Sequence, residues 1–268
     1  MFRRILAIAA VAAIGLGFQG QADARSLDDI IKSGAFRVGV NPNFPPMSSY
    51  GPTNQFEGFD IDLGNRIAEA LGVKAEFVPT ETAQRVPFLT ADRIDISLGA
   101  LTRSSERAKL IDYTVPLHTE VMAVLTTEKI PAQGWKELDS DQVTIVNMRG
   151  NWSVDYLKEQ LPKAKVLLVE TNADTVRALA QGRADALIEN IDFFMAFTKQ
   201  YPDVKWRTLN DNINVSYCAI GLSKGNEGLQ YFLNVLLYEL HSTGYVNESW
   251  EKWYGAPMTV KVEPQPFF

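Results

Sequence analysis

Residues 99–107, GALTRSSER, follow an apolar segment and contain two arginines among small polar side chains. The preceding DISLGAL predicts a buried strand, and Ser104 or Ser105 is a suitable N-cap for a following helix. Backbone N–H groups at a helix start attract negative charge, and the Arg107 guanidinium adds a planar fork of donors that suits a carboxylate. This stretch therefore indicates a binding site for a small anion.

A second stretch of the same kind lies in the second half of the chain. Arg149, Gly150, Asn151 and Trp152 follow the apolar segment VTIVN and open the amphipathic segment WSVDYLKEQL. Glycine at the turn would let the backbone come close to a ligand. Most strand-to-helix loops bind nothing, so each stretch alone is a weak indication, and their joint occurrence strengthens it.

Patterns for catalysis and for metal binding are scarce. The chain has two histidines, His118 and His241, and one cysteine, Cys218. It contains no H-E-x-x-H, C-x-x-C, G-x-S-x-G, P-loop or D-x-D-x-D-G pattern. GLGFQG at 15–20 matches the dinucleotide fingerprint formally, but it follows no predicted strand. We therefore expect no cofactor and no metal ion.

The N-terminus has the pattern of a secretory signal peptide. Residues 1–4, with the positive charges of Arg3 and Arg4, precede an uncharged apolar run at 5–18. Ala22-Asp23-Ala24 then gives an A-x-A cleavage pattern. An uncleaved anchor is the alternative, although the apolar run is short for a membrane span. We expect a signal peptide at 1–24, cleavage near Ala24, and a soluble periplasmic protein.

Charge and cysteine content narrow the function classes. The chain has 26 Lys and Arg against 32 Asp and Glu, a net charge of −6, and no basic run. Such a protein is a poor candidate for binding nucleic acid or an anionic membrane. A single cysteine allows no internal disulfide, so a hydrophobic core must supply the stability.

Short apolar runs alternate with amphipathic segments, which is typical of an α/β protein. Apolar residues at helical spacing followed by Gly72 predict a helix over 60–71. The segments FLTADRIDISLGAL and ALAQGRADALIENI share one pattern and overlay Asp95 on Asp185. This repetition predicts two lobes with mostly parallel sheets, which bind ligands at the carboxyl ends of their strands.

The lobes are expected to be joined by two extended apolar segments, 120–128 and 214–222. The predicted boundaries give 25–124 as the first part of lobe 1, 125–216 as lobe 2, and 217–268 as the second part of lobe 1 with a C-terminal tail. A single domain with a long insertion is the alternative, because length alone does not decide the number of domains.

Five segments together resemble the polar amino-acid solute-binding proteins of ABC importers. They are VGVNPNFPPMSS, GFDIDLGNRIAEALG, DRIDISLGALTRSSERAKLIDYTVP, GRADALIEN and GYVNESWEKWYG, in order along the chain. The resemblance implies the two-lobed α/β fold of the type II periplasmic binding proteins, with two hinge strands. It implies a monomer without a cofactor that closes on a small ligand and delivers it to a membrane-embedded permease.

The resemblance also implies roles for individual residues. Arg107 would grip the carboxylate of the ligand with help from Thr102, and Phe44 would form an aromatic wall. The other positions expected at the ligand are Asn41, Gly99, Ala100, Gly150, Asn151, Trp152, Glu189 and Asn190.

Two positions depart from the family pattern. Asn190 stands where an aspartate usually pairs with the ammonium of the ligand, and Thr82 stands where many members have a second aromatic. An amide offers no charge, so the ammonium contact is lost unless Glu189 turns inward. An amino acid is the leading ligand candidate, and a carboxylate without the amine is the rival.

Three function classes fit these residues. A transport binding protein without chemistry of its own is the preferred hypothesis. An enzyme on the same scaffold, similar to cyclohexadienyl or arogenate dehydratases, would use Glu189 as a general acid. A sensory module would present its closed form to a receptor.

Overall fold

The computed structural model describes residues 24–209 and 213–264. The predicted signal peptide therefore lies outside the described residues except for Ala24. The described α-helices are α1 Leu27–Ser33, α2 Phe59–Leu71, α3 Arg85–Thr90, α4 Ser105–Ala108, α5 Ser153–Gln160, α6 Asn172–Ala180, α7 Ile191–Thr198, α8 Glu227–Ser242 and α9 Tyr245–Tyr254.

The strands are short except for two. They are β1 Ala35–Val40, β2 Asn43–Phe44, β3 Ser48–Tyr50, β4 Phe56–Glu57, β5 Lys74–Pro79, β6 Ile96–Ser97, β7 Ile111–Thr127, β8 Thr144–Met148, β9 Lys165–Val169, β10 Ala186–Asn190, β11 Trp206–Thr208 and β12 Asn214–Ser223. Short 3₁₀ helices occur at Thr82–Gln84 and Trp135–Leu138.

One nine-stranded sheet runs through the molecule in the order β5-β1-β6-β12-β7-β10-β8-β9, and β11 pairs with β7. In one lobe β1 pairs in parallel with β5 and β6, and in the other β8 pairs in parallel with β9 and β10. The long antiparallel pair β7 and β12 lies between these groups. The predicted α/β class and the two parallel groups are confirmed, and β7 and β12 join these groups into one continuous sheet.

The chain passes between the lobes inside strands, without loops at these points. β7 runs without a break over seventeen residues, and β12 over ten. The boundaries that we place at 124/125 and 216/217 fall within these two strands and stay predictions.

Helix α2 illustrates how local sequence sets an element beside the cavity described below. Asp60 and Asp62 lie in its first turn, where carboxylates favour the positive end of the helix dipole. Gly72 ends it in the left-handed conformation, with φ 70°. The apolar side of the helix is buried in the main core, with Leu63 and Ile67 almost fully covered.

Asp95 and Asp185 make equivalent hydrogen bonds to the backbone of a strand, one in each lobe. Asp95 accepts a hydrogen bond from the backbone N–H of Arg37 at 2.7 Å, and Asp185 accepts one from that of Thr144 at 2.8 Å. The backbone N–H groups of Asp95 and Asp185 donate back to the carbonyls of the same partners. The two segments that overlay in sequence therefore make equivalent contacts in the structure.

Asp95 also forms ion pairs with two arginine side chains. Its side chain is fully buried and pairs with Arg25 and Arg37, whose side chains are about one-fifth exposed. A neutral amide at this position would leave Arg25 without its charge partner and Arg37 with Asp92 alone.

We expect Asp95→Asn to lower the free energy of unfolding by about 2–4 kcal/mol, at the lower end for a broken buried ion pair because the arginines keep some water contact. Urea denaturation with and without the substitution measures this loss. Asp155→Asn removes an exposed pair with Lys158 and serves as the control, with an expected change below about 1 kcal/mol. Equal unfolding midpoints for wild type and Asp95→Asn would contradict the assigned role.

Candidate functional site

A narrow cavity lies where the two lobes meet. Its volume is ≈ 10 Å³. Space of that size holds about one water molecule, so a larger ligand requires the lobes to separate. The wall consists of Phe44, Thr82, Arg85, Gly99, Ala100, Thr102, Glu120, Met148, Asn151, Trp152 and Glu189.

Arg85 on α3 is the cation in this wall and is 5% exposed. Its Nε donates to the carbonyl of Thr82 at 3.0 Å, and its Nη1 donates to those of Gly99 at 2.6 Å and Ala100 at 3.1 Å. Its Nη2 has no hydrogen-bond partner among the described residues. Burial, followed by the nearby charge of Arg107, lowers the pKa of Arg85 to about 10, so the group stays cationic at neutral pH. A buried cation with a free donor suits an anionic ligand group.

The loop that Arg85 holds has unusual backbone conformations. Gly99 has φ 79° and Ala100 has φ 53°, both in the left-handed region. For alanine this conformation costs roughly 1–2 kcal/mol, and it persists where surrounding contacts enforce it. Asp60 supplies another such contact, because its Oδ2 accepts from the N–H of Gly99 at 3.0 Å.

Arg107 lies at the entrance to the cavity and is absent from its wall. Ser104 caps the short helix α4, which presents this arginine. Nη1 of Arg107 donates to the carbonyl of Thr102 at 2.8 Å, and Nη2 donates to that of Gly150 at 2.8 Å. The second bond joins one lobe to the other. Arg107 also lines a neighbouring groove that shares Arg85 and Asn151 with the cavity.

Two carboxyl groups line the cavity, and each residue is 4% exposed. Glu189 accepts from Nδ2 of Asn151 at 2.7 Å and from the backbone N–H of Asn190 at 2.9 Å. Glu120 accepts from the thiol of Cys218 at 3.2 Å, and its Oε1 lies 3.5 Å from Nδ2 of Asn190. Neither carboxyl group has a cationic partner within 4.0 Å in the described part of the chain.

Burial raises the pKa of both carboxyl groups. For Glu120 the like charge of Glu189 raises the pKa further, and for Glu189 the hydrogen bond from Asn190 opposes the effect of burial. Two carboxylates that share a dry space cannot both ionise cheaply without a cation. The pair therefore keeps protons to a higher pH than exposed glutamates do.

Seven of the residues expected at the ligand lie in the cavity wall, and four lie outside it. Asn41 donates to Oγ1 of Thr82 at 3.1 Å and accepts from the N–H of Asn43, so its amide is engaged behind the wall. Asn190 caps α7 by accepting from the N–H of Asp192 at 3.1 Å. Arg107 and Gly150 line the groove at the entrance.

The expected set missed Arg85, Glu120 and Met148, and it treated Thr82 only as a departure from the family pattern. Glu120 stands at the start of the apolar segment EVMAVLTT, where a single charge is a signal for a buried functional carboxyl group. Arg85 is the first residue of the short helix α3, whose sequence does not tell which of its side chains faces a cavity.

Two structural absences concern the described residues alone. No helix in 24–209 or 213–264 is long and apolar enough to cross a membrane. The same part of the chain contains no cluster of three or more His, Cys, Asp and Glu side chains with the geometry to hold a metal ion.

Comparison with known proteins gives one family and several relatives. Residues 36–256 match the family model of the bacterial extracellular solute-binding proteins, family 3. The L-cystine-binding protein TcyJ of Escherichia coli K12 is 25% identical over 258 residues, 95% of each chain. The cyclohexadienyl dehydratase of Pseudomonas aeruginosa PAO1 is 26% identical over 189 residues, 70% of each chain.

One solved structure aligns with this chain over nearly the whole length of the solved chain. The ancestral amino acid-binding protein AncCDT-1, described as a precursor of cyclohexadienyl dehydratase, aligns with a TM-score of 0.78 at 30% identity. The alignment covers 85% of this chain and 99% of that one.

We expect the free energy of unfolding to fall as pH rises from about 5 to about 8, through the raised pKa values of Glu120 and Glu189. Both values are higher in the folded protein than in the unfolded chain. Their contribution to stability is therefore complete below the unfolded value, 4.5, and is lost as pH passes through the folded values.

Urea denaturation at several pH values measures this dependence. Glu120→Gln should flatten it in part, since Glu189 and Asp60, whose pKa burial raises to about 7, still titrate. Glu76→Gln makes the same chemical change on the exposed edge of β5 and should leave the slope unaltered. Identical slopes for wild type and Glu120→Gln would show that Glu120 does not titrate in this range.

Proposed function

Because the chain belongs to family 3 of the bacterial extracellular solute-binding proteins, we propose that it binds an amino acid between its lobes and delivers it to the permease of an ABC transporter. The observation that carries this proposal is a cavity whose wall holds a buried guanidinium and two buried carboxyl groups. Charges of both signs suit a zwitterion better than a simple carboxylate.

The carboxylate of the ligand would bind at the arginine side of the cavity. Nη2 of Arg85 donates no hydrogen bond within the described residues. At the entrance, both Nη atoms of Arg107 donate to backbone carbonyls. A carboxylate entering between them offers stronger, charge-assisted acceptors than those carbonyls. Arg107 would thus exchange its bond to Gly150 for one to the ligand.

The ammonium group would bind at the opposite side, where Glu189 accepts from Asn151 and faces the cavity. In this proposal Glu189, and not Asn190, accepts the ammonium, because the amide of Asn190 caps a helix. A charged acceptor is available from the neighbouring position, so the amide at 190 does not argue against an amino acid.

Entry and release of the ligand would require the lobes to move apart about β7 and β12. Gly150 has φ 77°, and a Cβ on it would lie 2.8 Å from Cα of Ala83 in the other lobe. Such contact allows no side chain at this point. The role that we assign to Gly150 is therefore close approach of the lobes, while Asn151 and Trp152 reach the ligand.

The location and partner follow from the same proposal. We infer a monomer in the periplasm, exported by a signal peptide that is cleaved near Ala24, with the lobe boundaries given above. Relatives include a probable amino-acid ABC transporter-binding protein of Haemophilus influenzae, which supports a permease as the partner.

A second candidate function is dehydration of a cyclohexadienyl acid. It is favoured by the Pseudomonas aeruginosa relative and by Glu189, whose pKa is raised by burial and which shares the cavity with Arg85. A protonated Glu189 would donate its proton to the hydroxyl group, which leaves as water while the ring carboxylate leaves as CO₂ and the electron pair of the broken C–C bond completes the aromatic ring. Turnover of prephenate or arogenate that is lost in Glu189→Gln supports this function, and saturable binding without turnover excludes it.

A thermal-shift screen tests the proposed binding function. The panel is L-cystine, L-cysteine, L-glutamine and L-arginine, the α-keto acid of each, and simple carboxylates. An amino acid at a hundred times its Kd should raise Tm by roughly 5–10 °C, because a ligand that binds only the folded state stabilises it. A shift with a keto acid and none with its amino acid would contradict an ammonium-binding cavity.

We expect Arg107→Ala to weaken amino-acid binding by about 2–4 kcal/mol, roughly 30- to 1,000-fold in Kd, since a charge partner of the carboxylate is lost. Isothermal titration calorimetry measures the change. Arg103→Ala removes an exposed arginine that lies outside the cavity wall and should leave Kd within about threefold. Unchanged affinity in Arg107→Ala would exclude this arginine from the carboxylate site.

A further inference from the structure

The charges in the cavity wall do not balance. Arg85, Glu120 and Glu189 are each 4–5% exposed, and none of them forms an ion pair within 4.0 Å among the described residues. One guanidinium thus shares a nearly dry space with two carboxyl groups. Buried charges are costly unless they are paired, so this arrangement needs a further cation or a retained proton.

Asn190 connects the two carboxyl groups. β7 continues past the end of β10, where Asn190 pairs with Met122, and so carries Glu120 beyond that end. The backbone N–H of Asn190 donates to Glu189, and its side-chain Nδ2 lies 3.5 Å from Glu120. Both carboxyl groups therefore converge on one end of the cavity, one from β7 and one from β10.

In an extension that rests on the proposed function, we propose that Glu120 and Glu189 together bind the ammonium group of the ligand. Without a ligand the pair retains a proton, and the arriving ammonium displaces that proton into water. Glu120 becomes a specificity-determining residue, because it makes the cavity select ligands that carry a cationic nitrogen.

The position where the family resemblance places the acidic partner of the ammonium supports this proposal. Asn190 carries an amide there, and Asn41, where the resemblance places an acidic or polar reader of the ligand side chain, carries another. Both amides are engaged in the hydrogen bonds described above. Neither amide supplies charge. Glu120 and Glu189 are the acidic residues of the wall.

Balance of charge sets the direction of proton movement. The raised pKa values of the pair mean that at least one of the two groups is protonated near neutral pH. An ammonium beside them stabilises the ionised forms and lowers both values, so binding releases a proton. The association constant should then rise with pH until the free protein has lost that proton, and level off above.

Other titratable and charged groups face the pair from every neighbouring element. The thiol of Cys218 and the phenol of Tyr254 have pKa values raised well above their ordinary range by burial, so both stay neutral. Asp60 has a pKa raised to about 7 and is the group whose titration must be separated from that of the pair. Among the described residues, Arg85 on α3, Tyr254 on α9 and Cys218 on β12 lie close enough to the pair to interact with it electrostatically. Asp60 on α2 and Asp192 on α7 lie near Tyr254, and Arg107 on α4 lies near Arg85.

Calorimetric titration in buffers of different ionisation enthalpy counts the protons released. The titrants are L-cysteine, L-glutamine and L-arginine, at about pH 6.5 and about pH 8.5. We expect release of about one proton per ligand at the lower pH and less at the higher, with Kd improving up to about tenfold per pH unit between them.

Substitutions identify the group that releases the proton when the ligand binds. Glu120→Gln should reduce its release and weaken binding, and the double variant with Glu189→Gln should abolish it, whereas Glu76→Gln should behave as wild type. Cys218→Ala removes the donor to Glu120 and should move the pH dependence to higher pH, which provides a test even if Glu120→Gln does not fold.

The possible results separate the two proposals. Amino-acid binding without proton release, or with release unchanged in Glu120→Gln, overturns the shared ammonium site and leaves the proposed function intact. Release that disappears in Asp60→Asn but not in Glu120→Gln overturns it as well. Failure of the whole panel to bind overturns both.

Discussion

A guanidinium and two carboxyl groups occupy a cavity that holds about one water molecule. The cost of burying these charges governs the rest of the site. Arg85 offsets part of its own cost by donating to three backbone carbonyls, and those bonds in turn hold the left-handed loop at Gly99 and Ala100. The carboxyl groups offset theirs by keeping protons. A zwitterion would supply the missing counter-charges at both ends.

The sheet brings these groups together from distant parts of the chain. β7 and β12 belong to both lobes, so Glu120 on β7 can meet Glu189, which lies at the end of β10 in the second lobe. The hydrogen bond from Arg107 to Gly150 and the close contact of Gly150 with Ala83 hold the lobes against each other at the entrance. In the proposed cycle, opening of the lobes would break a bond made by the same arginine that would hold the carboxylate.

Much of the fold was predictable because its signals are local. Periodic apolar residues and Gly72 predict α2 within one residue of Phe59–Leu71, and Ser104 caps α4 as its type suggests. The repeated Arg-x-Asp segments predict two similar lobes, and in the structure Asp95 and Asp185 make equivalent contacts. The charged wall was less predictable, since the direction of Arg85 and the capping role of Asn190 depend on packing between segments far apart in sequence.

A crystal structure with the amino acid that gives the largest thermal shift would show directly whether Glu120 and Glu189 share the ammonium group of the ligand. We expect the nitrogen of the ligand within hydrogen-bonding distance of both carboxyl groups, and its carboxylate in contact with Arg85 and Arg107. A ligand bound in the reverse orientation, or one whose nitrogen contacts the amides of Asn41 and Asn190 while Glu120 points away, would contradict it.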